Sequence, residues 1–292
     1  MFVQENSIDA CLSYMKNKLA PYFSDTEIRQ IQSQSFEQRL GLSRVDLMLR
    51  KSDRLSESDL LYFRNIVNRL IDGEPLQYII GKTLFGELEL MTDKRALIPR
   101  PETEELVRHV TNWIKVNHKV APTILDVCTG SGCIALALKN NMPASLIEAV
   151  DIDENALSLA RENVKLTQLP VQIYQANALE LSTCLPDSKT WDVIVSNPPY
   201  IPTEDKRLMH KNVLEYEPHI ALFVEDNDPL LFYREIGTYA ITALNKDGLL
   251  AVEIHENLAE QVSELFTKLG FAQIRVLKDL QEKNRMVFAE FN

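Results

Sequence analysis

Asn197-Pro198-Pro199-Tyr200 carries the most specific chemical signal in the chain. It follows Trp191-Asp192-Val193-Ile194-Val195-Ser196, an apolar run that reads as a sheet strand. Pro198 and Pro199 lack N–H groups and fix φ, so the segment leaving the strand is held rigid. That rigidity presents the Asn197 side-chain oxygen and the Pro198 carbonyl as two fixed acceptors. They match the two hydrogens of a planar –NH2 group, and the Tyr200 ring can pack on the group that bears it. An amide nitrogen shares its lone pair with the carbonyl, the same resonance that makes peptide-bond rotation cost about 18–20 kcal/mol. Holding both N–H bonds at acceptors favours a pyramidal nitrogen whose lone pair can attack an electrophilic methyl group. Preorganised carbonyl dipoles then stabilise the positive charge that grows on nitrogen, and orientation supplies much of the remaining acceleration. No strong general base is required, because the product can lose its proton to water. The four residues point to amino-methylation. They do not by themselves separate the exocyclic nitrogen of adenine from the amide nitrogen of glutamine.

A second motif lies upstream. Residues 123–127 form a short apolar run that leads through Cys128-Thr129-Gly130-Ser131-Gly132 into a helical pattern. Glycines let backbone approach a ligand without a Cβ in the way, and a helix N-terminus offers unpaired N–H groups. Asp151 stands 21 residues beyond Gly130, at the end of the next strand pattern, where a carboxylate can hold both ribose hydroxyls of an adenosine. Gly130-x-Gly132-x-x-Ala135 fits a nicotinamide-dinucleotide fingerprint. It also fits an S-adenosylmethionine loop, in which Asp126 precedes the glycines. The loop therefore predicts a cofactor containing adenosine, held through Thr129, Gly130, Gly132 and Asp151, without choosing between the two.

These motifs need a scaffold to converge. Residues 1–72 read as helical, with Ile8, Cys11, Leu12, Met15 and Leu19 at helical spacing and a similar stripe through Leu60, Phe63, Ile66, Val67 and Leu70. Gly73-Glu74-Pro75 breaks the pattern. Residues 76–97 alternate in the β manner, including Tyr78-Ile79-Ile80, with Gly86 and Asp93 as turn candidates, and predict a hairpin. Pro99 and Pro101 argue against regular helix or central strand around them. From about residue 103 strand and helix patterns alternate to the end. That alternation predicts an α/β domain with a doubly wound, largely parallel sheet. The expected division is 1–75 for a helical bundle, 76–98 for a hairpin linker and 99–292 for the domain that bears both motifs.

The chain resembles the HemK/PrmC family of protein-(glutamine-N5) methyltransferases, which act on peptide chain release factors. The resemblance covers nearly the whole sequence. It rests on Gly73-Glu74-Pro75-Leu76-Gln77-Tyr78-Ile79, on Leu97-Ile98-Pro99-Arg100-Pro101-Glu102-Thr103-Glu104-Glu105-Leu106-Val107, and on both motifs above. It rests also on Glu217-Pro218-His219-x-Ala221-Leu222 and on Arg285. It implies a Rossmann-like S-adenosylmethionine-dependent domain behind a helical bundle and a β-hairpin. It implies S-adenosylmethionine as cofactor, S-adenosylhomocysteine as product and the glutamine of a Gly-Gly-Gln loop as acceptor. By motif match, Asn197 and Pro198 would hold the acceptor amide, with Pro199 and Tyr200 lining its pocket and Asn197 also touching the cofactor. Gly130 and Asp151 would hold the cofactor. Arg100, Pro101, Glu102 and Thr103 would lie beside the cofactor and the substrate entrance, and the N-terminal bundle would choose the partner. Two positions depart from the family pattern. Cys128 replaces the usual first loop glycine, so it must fit with negative φ or tolerate strain. Asn177-Ala178 replaces an Asp-Trp pair, so an aromatic contact to adenine is missing there; Asn177 is expected to bond the adenine amino group.

Composition narrows the alternatives. The net charge is −11, from 31 basic and 42 acidic residues, which disfavours a surface built to neutralise phosphates. A DNA adenine-N6 methyltransferase would need a basic target-recognition region and a way to flip the base. A nicotinamide-dependent dehydrogenase would leave the Asn-Pro-Pro-Tyr motif unexplained. Glutamine methylation of a ribosomal protein is the nearest chemical alternative. Cys11, Cys128, Cys133 and Cys184 include no C-x-x-C pair, and the histidines form no H-E-x-x-H, so reduced thiols and no metal are expected. Met1-Phe2-Val3-Gln4-Glu5-Asn6 lacks a basic stretch ahead of an apolar core, and no apolar run of about 18 residues occurs. A cytoplasmic protein with no membrane partner and no DNA partner is expected.

Overall fold

The computed structural model describes residues 5–186 and 188–291, so the leader reading of Met1–Gln4 lies outside the described residues. The chain divides into two compact units.

The first unit runs to Gly81 and includes residues 211–216. It contains α1 (Ile8–Leu19), α2 (Asp25–Leu40), α3 (Arg44–Leu49), α4 (Glu57–Ile71) and α5 (Leu76–Ile80). Serines start the first four: Ser7, Ser24, Ser43 and Ser56 each accept a first-turn N–H, and the last three complete reciprocal capping boxes. Their apolar faces meet around Met15, Leu19, Phe36 and Phe63, the two phenylalanine rings stacking at 4.1 Å. The expected helical reading of this region holds. Tyr78-Ile79-Ile80, expected as strand, is helical instead. Pro75 with φ −60° leads into α5 and Gly81 with φ +79° ends it, and Leu76 is buried in the bundle core while Ile79 and Ile80 pack against it. Tertiary burial here overrides the β-preference of isoleucine.

The second unit opens with the hairpin β1 (Lys82–Phe85) and β2 (Leu88–Met91), turned at Gly86 with φ +58°. It continues through α6 (Pro101–Val116), β3 (Thr123–Val127), α7 (Cys133–Asn141), β4 (Leu146–Asp151), α8 (Glu154–Thr167), β5 (Gln172–Gln175), α9 (Leu181–Cys184), β6 (Trp191–Ser196) and β7 (Ile201–Pro202). After α10 (Lys211–Tyr216), which belongs to the first unit, come β8 (Phe223–Val224), α11 (Leu231–Ala243), β9 (Leu244–Glu253), α12 (Ala259–Leu269), β10 (Gln273–Lys278) and β11 (Asn284–Phe291). The expected bar to helix around Pro101 does not hold. Pro101 is the first residue of α6, where a missing N–H costs nothing.

Seven strands form one sheet in the order β10-β11-β9-β6-β3-β4-β5. β9, β6, β3, β4 and β5 pair in parallel; β11 runs antiparallel between β9 and β10. The sheet is Rossmann-like. Chain order proceeds from β3 outward through β4 and β5, then returns to the other side of β3 with β6. Ligands bind in the crevice that such a reversal opens at the carboxyl ends of the strands. β3 and β6 are fully buried at their centres, with Leu125, Val127, Ile194 and Val195 inaccessible to solvent, and so anchor both motifs on rigid backbone. Asn163, wholly buried, ties the hairpin to the glycine loop: it bonds both the N–H and the C=O of Met91 and also donates to the Ser131 carbonyl.

Candidate active site

At the carboxyl ends of β3, β4 and β6 lies a cavity of about 220 Å³. The glycine loop forms one wall. Cys128, Gly130 and Gly132 all take positive φ, at 60°, 55° and 83°. Cys128 therefore adopts the left-handed conformation in place of the expected glycine and bears its strain. Burial pushes its thiol pKa well above the ordinary value, so it is not a ready nucleophile. Beneath the loop, Asp126 is fully buried and accepts from Thr129 Oγ1 at 2.5 Å and from the Ala135 N–H at 3.2 Å. Burial pushes its carboxyl up to about 7. Gly132 turns the chain into α7, and a Cβ there would meet Ala160 at 3.4 Å, so its small size serves the approach of α8.

Asp151 closes the next side of the cavity. Its Oδ2 accepts from the Gly130 N–H at 2.9 Å and its Oδ1 from the Asp153 N–H at 3.0 Å. Each oxygen keeps a second lone pair, the requirement for holding two adjacent ribose hydroxyls. Burial raises the Asp151 pKa, opposed by these backbone hydrogen bonds. Ile152, Ala178 and Leu179 add apolar wall beside it, suited to the face of a purine. Asn177 also lines the cavity, but its Oδ1 already accepts from the Leu179 N–H at 3.0 Å. That oxygen keeps a second lone pair for an adenine amino group, and Nδ2 remains a donor for a ring nitrogen. The acid, the open glycine loop and the apolar wall together fit an adenosine-bearing cofactor.

Asn197 faces the same cavity from the end of β6. Its Nδ2 donates to Thr103 Oγ1 at 3.2 Å, and Thr103 Oγ1 donates to Glu253 Oε2 at 2.7 Å. Tyr200 OH donates to the other oxygen of Glu253 at 3.0 Å. Glu253 ends β9, where the pairing of Ser196 with Val252 brings it beside Asn197. Arg100 Nη2 donates to Glu217 Oε1 at 2.5 Å.

A family profile described as methyltransferase small domain matches residues 103–216, and a second, described as PrmC N-terminal domain, matches residues 25–81. A release factor glutamine methyltransferase of Flavobacterium psychrophilum is 40% identical over 94% of this chain and 95% of its own. The chain belongs to this family. A release factor glutamine methyltransferase of Streptococcus pneumoniae is 41% identical over 94% of this chain and 98% of its own. A methyltransferase crystal structure from Pyrococcus furiosus, 20% identical, superposes with a TM-score of 0.53 over 77% of this chain and 98% of its own, which supports the Rossmann-like fold. Family membership resolves the ambiguity of the glycine loop: this is an S-adenosylmethionine-dependent methyltransferase domain.

Of the expected site residues, Arg100, Thr103, Thr129 and Gly130 line the cavity from one set of segments. Asp151, Asn177, Asn197 and Pro199 line it from the others. Pro198 is buried and is not among the residues lining the cavity, and Tyr200 bonds Glu253. Glu102 sits in the first turn of α6. Sequence reasoning did not single out Glu253 or Asn163. The one available signal for Glu253 was an acid closing the apolar run Leu249-Leu250-Ala251-Val252. Among the described residues no group of three or more His, Cys, Asp or Glu is placed to hold a metal, and no helix is long and apolar enough to cross a membrane.

Proposed function

We propose that this protein transfers a methyl group from S-adenosylmethionine to the N5 amide nitrogen of the glutamine in the Gly-Gly-Gln loop of a peptide chain release factor, leaving S-adenosylhomocysteine. The observation that carries the reading is Asn197. Its Nδ2 is held by Thr103, and it shares one cavity with Asp151 and Gly130. The amide group of Asn197 is thus turned so that Oδ1 remains to accept from the substrate. S-adenosylmethionine, when bound, supplies the electrophilic methyl on a sulfonium.

Asp151 and the Gly130 loop would hold the ribose, and Ile152, Ala178 and Leu179 the base. Asn197 Oδ1 and the Pro198 carbonyl would accept the two amide hydrogens, which weakens conjugation and frees the lone pair. The same two acceptors would stabilise the charge that develops on nitrogen. Arg100 would lie beside the substrate entrance, fixed by Glu217. Residues 1–75 would dock the release factor, 76–98 would link, and 99–292 would carry the chemistry, in a cytoplasmic protein without a DNA partner.

The test is transfer of labelled methyl to purified release factor, beside a factor with Gln→Asn in its Gly-Gly-Gln loop and beside duplex DNA. Label on the unchanged factor alone is expected. Label on DNA, or none on the factor, overturns the substrate.

A further inference from the structure

Glu253 does not itself line the cavity, yet the hydroxyl of the lining residue Thr103 and that of Tyr200 both end on it. Its carboxyl is 1% exposed and receives two hydroxyl donors, Thr103 at Oε2 and Tyr200 at Oε1. A hydroxyl carries one hydrogen. Once Thr103, itself 2% exposed, commits that hydrogen to Glu253, its oxygen can only accept from Asn197. Asn197 must then present its –NH2 end to Thr103 and keep Oδ1 for the substrate. An amide held by Thr103 alone has no such constraint, because a threonine hydroxyl can donate as readily as accept. The tyrosine hydroxyl is committed in the same way. Burial raises the Glu253 pKa, while the Thr103 and Tyr200 hydrogen bonds and the charge of Arg285 favour the ionised, acceptor-only form.

We propose that Glu253 is a positioning residue that, through Thr103, sets the polarity of Asn197 and makes the site select a carboxamide over a carboxylate of the same shape. This rests on the glutamine reading above. A carboxamide brings two N–H donors to Asn197 Oδ1 and the Pro198 carbonyl. A glutamate in its place brings only acceptors to those acceptors, with a negative charge near a buried carboxylate. Such mismatches of buried polar groups are where large discrimination arises.

The experiment compares the wild-type full chain with Glu253→Gln, Thr103→Val and Thr103→Ser. It measures kcat and KM for methyl transfer to intact release factor, and inhibition by a factor carrying Gly-Gly-Glu. Calorimetric affinity for S-adenosylhomocysteine and the thermal midpoint report on the cofactor site and the fold. Thr103→Val should lower kcat by about 10²-fold, the scale of losing one preorganised transition-state contact, and Glu253→Gln by less, because its remaining amide oxygen can still accept from Thr103. Cofactor affinity should hold, and preference for the Gln factor over the Glu factor should shrink about tenfold. Thr103→Ser, which keeps the hydroxyl, should restore both quantities. Unchanged kcat and preference in Thr103→Val overturn the inference, as does a loss that follows cofactor affinity or that Thr103→Ser shares. If Glu253→Gln fails to fold, the two threonine variants decide. No wild-type transfer to the factor removes the glutamine reading and this inference with it. Wild-type transfer with unaltered variants removes the inference alone.

Discussion

Glu217 grips Arg100 with one carboxylate oxygen at 2.5 Å and the Ile98 N–H with the other at 3.2 Å, across 117 and 119 residues of sequence. The Glu217 side chain is 1% exposed while that of Arg100 is 35% exposed, so the pair straddles the edge of the buried region. Leu97, Ile98, Pro99 and Arg100 line the cavity on one side of this contact and Pro218 on the other. The pair therefore holds two cavity walls together.

Glu217→Ala should accordingly cost stability and activity together. Breaking a buried pair costs roughly 3–5 kcal/mol, and the partial exposure of Arg100 places this case toward the lower end. Chemical denaturation of the two proteins measures it. A cost below about 1 kcal/mol, the level of a surface pair, would show that the contact is incidental.

Asn197→Ala removes an acceptor at the reacting nitrogen. It should lower kcat about 10²–10³-fold, as loss of one oxyanion-type contact does. Affinity for S-adenosylhomocysteine should persist, because Asp151 and the glycine loop are untouched. Equal loss of cofactor binding would place Asn197 in the cofactor site instead.

Asp151→Asn turns an –NH2 toward either the Gly130 or the Asp153 N–H, setting donor against donor. Hydrogen bonds to charged groups contribute about 1.5–3 kcal/mol, so cofactor affinity should fall about 10–100-fold. Isothermal titration reads this directly, and an unchanged Kd removes Asp151 from the ribose site.

Asp126 predicts a pH dependence. Its carboxyl, pushed up to about 7 by burial, holds its proton more tightly in the folded state than in the unfolded chain. Its contribution is present below about pH 4 and is lost as pH rises through its folded-state value. Asp126→Asn keeps an acceptor for Thr129 and Ala135 without the charge. The stability of the variant relative to wild type should therefore rise from about pH 4 to about pH 7 and stay at its highest above that. Glu253, whose pKa burial also raises, is common to both proteins and cancels in the difference, whereas the charge of Asp151 helps raise the Asp126 pKa and is part of the effect measured. A stability difference flat across the window would sink the assignment.

Much of the site was legible because its residues are adjacent in sequence. Asn197, Pro198, Pro199 and Tyr200 act through backbone stiffness and local geometry, and the glycine loop acts through φ and a helix start, all encoded over a few residues. The hairpin turn at Gly86 was readable for the same reason. The reading failed where distant burial outvoted local preference, as at Tyr78-Ile79-Ile80, or where one position altered a rule, as Pro101 does at the first residue of α6.

The sequence by itself determined the alternation that makes a doubly wound sheet, the two motifs and, through them, the chemistry of an amino-methylating site. Only the tertiary structure decided which way that chemistry faces. Asn197, Thr103 and Glu253 come from three separate elements, and a hydrogen bond has direction. Which end of the Asn197 amide remains for the substrate therefore depends on a carboxylate 56 residues away in the chain, brought alongside by the pairing of β6 with β9.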